Sequence, residues 1–237
     1  DYLYLKVDST VKYDSGMTTN SASTLKSTVI SSITDYGLTA LKDFDKAFRY
    51  SNLIKKIDES EISVKSNQTN VSIKRYMYPL LGSSSAYTLR FSNEVYHPSN
   101  TFWGSVTSGD FSYRDTANTL WTGCKMQDSN GIIQVYRTSG LNRILVDNDV
   151  GTMTYGSGKL ALLGFAPVAI GSASTGNTTA LSVYITPSSS DVLPLREQII
   201  LIEDGDISVA MVDDAGTGTY VQGATSSSDG TTLKTGY

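Results

Sequence analysis

From Pro79 onward the apolar residues of this chain recur at every second position, in short runs broken by Gly, Ser, Asn and Asp. Period-two alternation builds strands with one face on a core and the other in solvent, and it leaves little room for anything but sheet. The strand candidates are "YTLRFSN", "FSYR", "GIIQVYR", "RILVD", "GTMTY", "KLALLGF", "LSVYIT", "QIILIED" and "ISVAMVD". "GTMTYGSGKLALLGF" reads as a hairpin with Gly156-Ser157-Gly158 at its tip. Many short strands at regular spacing predict a β-sandwich or barrel-like region over residues 81–212.

The first eighty residues break this rule. "LYLKVDSTVKY" alternates cleanly, with Leu3, Leu5, Val7, Val11 and Tyr13 on one face. In "STLKSTVISSITDYG", however, Leu25, Val29, Ile33 and Tyr36 fall on one helical stripe, with Ser23 as expected N-cap and Gly37 as expected stop. A second helix opens at Ser51, whose side chain is placed to cap it, with Leu53, Ile54 and Ile57 as its apolar face. "EISVKSNQTNVSIKRY" reads as a hairpin that returns Ile62 and Val64 through polar residues to Val71 and Ile73. Residues 1–80 therefore spell a β-α-α-β-β two-layer module, in which two helices cover one face of a sheet. The expected fold class is α+β, mostly β. Residues 213–237 are rich in Gly, Ser and Thr and read as a flexible tail or a partner-binding arm.

Chemistry is scarce. His97 is the only histidine and sits in the loop sequence "NEVYHPSN"; no G-x-S-x-G accompanies it, so a nucleophilic triad is not expected. Cys124 is the only cysteine, which excludes intrachain disulfides and cysteine-built zinc sites, and it reads as a buried small hydrophobe. The acidic groups at 203–206, 147–149 and 213–214 are candidate glycosidase carboxylates, but Asp in turn sequences ordinarily bonds its own backbone. "DNDVG" lacks the distal Glu of a calcium loop, and no phosphate-binding glycine motif occurs. No catalytic residue, metal or cofactor is expected. Net charge of −4 gives no footprint for nucleic acid, and no apolar run is long enough to span a bilayer as a helix. Sequons at Asn67, Asn70 and Asn177 read as chance matches in a chain rich in Ser and Thr.

Aromatics crowd the middle of the chain. Most serve a β core, but "VYHPSNTFWG" is loop-like, which makes Tyr96, Phe102 and Trp103 the expected partner contacts. The same residues could form a carbohydrate platform of an adhesin or tail-fibre module, the alternative reading.

Taken in series, these segments resemble the J-like baseplate family of contractile phage tails. The likeness lies in a strand, a helix ending near Tyr36, a hydrophobic link, then Ser51 and Leu53 opening a second helix that leads through Ile57-Asp58 to Val64. Downstream, "DNDVGTMTYGSGKLALLGFAP" is similar to the Gly-x-x-x-Tyr…Gly-x-Leu hairpin of baseplate wedge proteins in T-even-like myophages and cyanophages, and "PLREQIILIEDGDISVAMVDD" to a segment near their C-terminal end. The resemblance implies a C-terminal portion of such a wedge protein in the virion, assembled in the host cytoplasm, without catalytic residues. It also implies self-association: paired copies link wedges into a ring around the tail hub, packed against a second wedge protein.

Overall fold

The computed structural model describes residues 2–171 and 180–215. It is α+β and mostly β, as the periodicity predicts. The strands are β1 (Tyr2–Tyr13), β2 (Val64–Met77), β3 (Ser85–Arg90), β4 (Trp103–Ser108), β5 (Phe111–Arg114), β6 (Leu120–Ser129), β7 (Ile132–Ser139), β8 (Asn142–Thr154), β9 (Lys159–Phe165), β10 (Ala169–Ile170), β11 (Leu181–Ile185) and β12 (Ile199–Asp213). They join in one mixed sheet of order β12-β1-β2-β11-β4-β6-β7-β8-β9-β3, with β5 on β6 and β10 on β5. The distal strands curl back: Phe165 on β9 meets Phe111 on β5 at 5.3 Å between ring centroids and stacks on Tyr113 at 6.0 Å.

Helices α1 (Ala22–Ala40) and α2 (Tyr50–Asp58) cover one face of the β12-β1-β2 end. Leu25, Val29, Ile33, Leu53 and Ile57 are fully buried, and all but Leu25 share one core with Leu3, Leu5, Val7, Val11 and Ile73 of the sheet. Each such side chain stabilises the fold by about 1.5–3 kcal/mol relative to exposure, so a helix-free sheet would forfeit much of its driving force.

Several boundaries differ from those expected, each for a physical reason. The N-cap of α1 is Ser21, whose side chain accepts from Thr24 N at 3.2 Å, two residues before Ser23. Gly37 does not stop the helix but lies inside it, facing Ile202 of β12, where a Cβ would make only ordinary contact. The N-terminal residue of α2 is not capped by Ser51; Asp191, distant in sequence, accepts from Tyr50 N at 2.9 Å. The expected hairpin after α2 is instead one straight 14-residue strand. Its polar middle pairs with the polar outer half of β1, Thr69 Oγ1 bonding Ser9 Oγ at 2.8 Å, while Ile62 lies exposed before the strand. The module is thus β-α-α-β, and β12 supplies a further strand, parallel to β1. "RILVD" and "GTMTY" merge into β8, and "QIILIED" and "ISVAMVD" into β12. The hairpin of β8 and β9 forms with its tip at Tyr155–Gly158. Residues 216–237, most of the expected tail, and Asn177 lie outside the described residues.

Candidate partner interface

The loop singled out by its aromatics is built from the sheet outward. Between Trp103, opposite Ser129, and Thr107, opposite Gln127, β4 carries three residues where β6 carries only Asp128. That bulge frees two amides from the ladder. Asp128, fully buried, takes both: its Oδ1 accepts from Gly104 N at 3.0 Å and Val106 N at 2.8 Å. Its Oδ2 accepts from the Tyr155 hydroxyl at 2.8 Å, and that hydroxyl in turn accepts from Gly131 N. Burial, then the Asp128 hydrogen bond, push the Tyr155 phenol up to about 12, so it remains a neutral donor. His97 stacks on the Tyr155 ring at 3.8 Å and 7°. The sole histidine is therefore a packing partner of the β8–β9 hairpin, and Tyr155 joins that hairpin to the aromatic loop.

On this support the three expected contact residues separate into two groups. Tyr96 and Phe102 pack edge to face at 5.3 Å. Trp103 turns the other way, 58% exposed, with the Arg143 guanidinium 4.4 Å from its ring centre. Arg143 also lies 4.3 Å from the Tyr136 ring, so one cation bridges two aromatics. Beyond it the β7–β8 turn, Gly140 at φ 59°, carries a fully exposed Leu141, with exposed Leu145 behind it on β8. Tyr136 and Arg143 were not singled out from the sequence; the hairpin pairing of β7 and β8 brings them to Trp103, and no local pattern encodes it.

Most of the acidic side chains at 203–206, 147–149 and 213–214 have partners within the fold, while those of Asp149 and Asp214 are exposed. Between Leu5/Ile202 and Val7/Ile207 the β1–β12 register slips, and residues 203–206 bulge out of β12. The bulge delivers Glu203 and Asp206 to Lys74 of β2, which is 2% exposed. Lys74 donates to Asp206, to Glu203 at 2.6 Å and to the Tyr76 hydroxyl at 2.7 Å, beneath the rings of Tyr4 and Tyr76. Burial alone would lower the Lys74 ammonium, but these hydrogen bonds hold it above the ordinary lysine range. One ammonium cannot neutralise two carboxylates. Burial raises Asp206, which has the least access to water, whereas Lys74 and Tyr76 hold half-exposed Glu203 low despite its own burial. Asp147 accepts from Tyr113, and Asp213 from the amides of Ser15 and Ala215. Cys124 is buried, and burial pushes its thiol up to about 11. Among the described residues no cluster of His, Cys, Asp and Glu could hold a metal, and no helix is long and apolar enough to cross a membrane.

Residues 1–76, which span β1, α1, α2 and nearly all of β2, match the family model for baseplate structural protein gp6, C-terminal domain III. That match supports a structural component of a phage baseplate, and with it a place in the virion tail and contacts with other baseplate proteins. No curated protein matches the chain.

Proposed function

We propose that this chain is the C-terminal portion of a baseplate wedge protein of the J-like type, which associates with itself to link neighbouring wedges into a ring around the tail hub. The match of residues 1–76 to a gp6 structural domain carries the reading. The downstream segments that resemble wedge proteins support it, as does the engagement of Glu203, Asp206, Asp147 and Asp213 in contacts that hold the fold. Trp103, Arg143, Tyr136 and Leu141 are the proposed self-contact, with Tyr96 and Phe102 flanking it: aromatic and Arg side chains concentrate binding energy at interface centres. The carbohydrate-platform alternative has no observation in its favour, since Arg143 occupies one face of Trp103.

Light scattering across a wide concentration range tests the proposal. The expected result is a discrete species of twice the 25.6 kDa chain mass that Trp103→Ala shifts toward monomer. A strict monomer at all concentrations would remove self-association from this portion of the protein.

A further inference from the structure

The terminal strand β3, last in the sheet order from β12, borders a cavity of about 590 Å³ whose other wall is Arg75 and Tyr76 of β2 with Leu195 and Gln198, which lead into β12. Its walls carry the cationic side chains of Arg75, Arg90 and Lys159, with no carboxylate among the described lining residues. This concentration of positive charge occurs in a chain of net charge −4. Arg90 on β3 and Lys159 on β9 are directly opposed in register, and neither makes an ion pair among the described residues. Like charges directly opposite on neighbouring strands destabilise a sheet, so this pair is a local cost that an anionic partner would remove.

The geometry also indicates how such a partner enters. Thr88, Leu89 and Arg90 are consecutive, yet all three line the cavity. Alternate side chains leave opposite faces of a strand, so a cavity that touches three in succession meets β3 at its edge. That edge is open: β9 is the only strand paired with β3 among the described residues. An open edge presents main-chain donors and acceptors to an added strand. The volume far exceeds what one phosphate fills and falls within the ~300–1,000 Å³ of sites that take larger ligands.

We propose that the open edge of β3 and this cavity form a binding site for an extended acidic segment of a partner protein, which adds to the sheet beside β3 and places its carboxylates against Arg90 and Lys159. Backbone pairing supplies the seat and the cations select acidic side chains. The site lies on different strands from the Trp103 patch and does not depend on the baseplate reading.

A fluorescent peptide with Glu at alternate positions between Val and Thr, titrated onto the chain and followed by anisotropy, tests it. Saturable binding that falls steeply with salt is expected, with at least tenfold weaker binding of the Gln-for-Glu peptide. Arg90→Glu combined with Lys159→Glu should weaken binding by tenfold or more. Arg90→Glu alone should raise the melting temperature, because it converts a repulsive pair into an attractive one, and should still weaken binding. Of two peptides N-methylated at alternate amides, the one whose methyls face β3 should lose binding. Equal binding of Glu and Gln peptides, no saturable binding, or unaltered binding by the double variant would overturn the site. Equal binding of both methylated peptides would overturn strand addition, and tight binding of inorganic polyphosphate without the peptide would overturn the acidic-segment occupant.

Discussion

Lys74→Met should be among the most destabilising single substitutions in the chain, and the structure dictates how its effect divides among the partners. Removing the ammonium leaves two carboxylates without their counter-ion. Glu203, with its side chain 42% exposed, can turn to water; Asp206, at 6%, cannot. Stranding one buried charge costs about 3–5 kcal/mol, which for a chain of this size lowers the melting temperature by roughly 6–20 °C. Asp206→Ala should cost less, about 1.5–3 kcal/mol, because Lys74 keeps Glu203, Tyr76 and two ring faces. Glu203→Gln should cost no more than about 1 kcal/mol. Lys74→Met combined with Asp206→Leu removes both buried charges, so it should recover about 2 kcal/mol or more of the sum of the single losses. The pH dependence has a definite sign. Burial raises the Asp206 carboxyl and Lys74 partly offsets this, so removing Lys74 raises it further; the variant then gains more from protonation than the wild type, and acidification should narrow the gap between them. Urea titrations followed by circular dichroism across pH 4–8 (about the range where carboxyl groups of raised pKa take up protons) measure all of this. A loss under about 1 kcal/mol for Lys74→Met, a larger loss for Glu203→Gln than for Asp206→Ala, or simple additivity in the double variant would refute the reasoning.

Asp191→Ala should destabilise by about 1 kcal/mol through loss of the cap on α2. The Arg49 guanidinium and the Tyr50 amide hold Asp191 below the usual aspartate range. Its contribution is therefore present above the ordinary value and lost as pH falls through the lowered one, so wild-type and variant urea midpoints should converge in acid. Asp128→Ala should cost about 2–4 kcal/mol, because the buried Val106 amide and the Tyr155 phenol lose their acceptor at about 1–3 kcal/mol each, and the more exposed Gly104 amide loses less; Asp128→Asn, which keeps an acceptor oxygen, should cost distinctly less by thermal melting. Gly158 has φ 60° and a Cβ there would collide with the Asn93 carbonyl, whereas a Cβ at Gly156 meets nothing within 4 Å. Gly158→Ala should therefore cost more than ~2 kcal/mol and Gly156→Ala under ~0.5 in the same denaturation assay.

What was legible in the sequence follows the range of the interaction concerned. The stripe of α1 and the alternation of β1 are local periodicities, and both appear where the residues place them. The β8–β9 hairpin was legible too, because its two strands and their glycine tip are contiguous. The errors cluster where a distant partner outweighs a local preference. "SNQTN" has turn composition, yet it stays extended because β1 offers a polar strand of matching length to pair with. Ser51 is a good cap in isolation, but Asp191 is brought to Tyr50 N by the fold. The β12 bulge looks like two strands separated by an acidic turn, since nothing local shows that residues 203–206 reach across to Lys74.

The aromatic loop shows the same division in a single segment. Its loop character and ring content are written in residues 96–103, whereas its rigidity depends on Asp128 and Tyr155, and its cationic neighbour on Arg143. Those residues lie on β6, β8 and the tip of the β8–β9 hairpin, so the patch can keep its shape only while the sheet keeps its register. A surface held this way is suited to docking as a rigid body. Any rearrangement of an assembly built on it is then expected to occur between copies, by exchange of one packed interface for another, and not by remodelling within this domain.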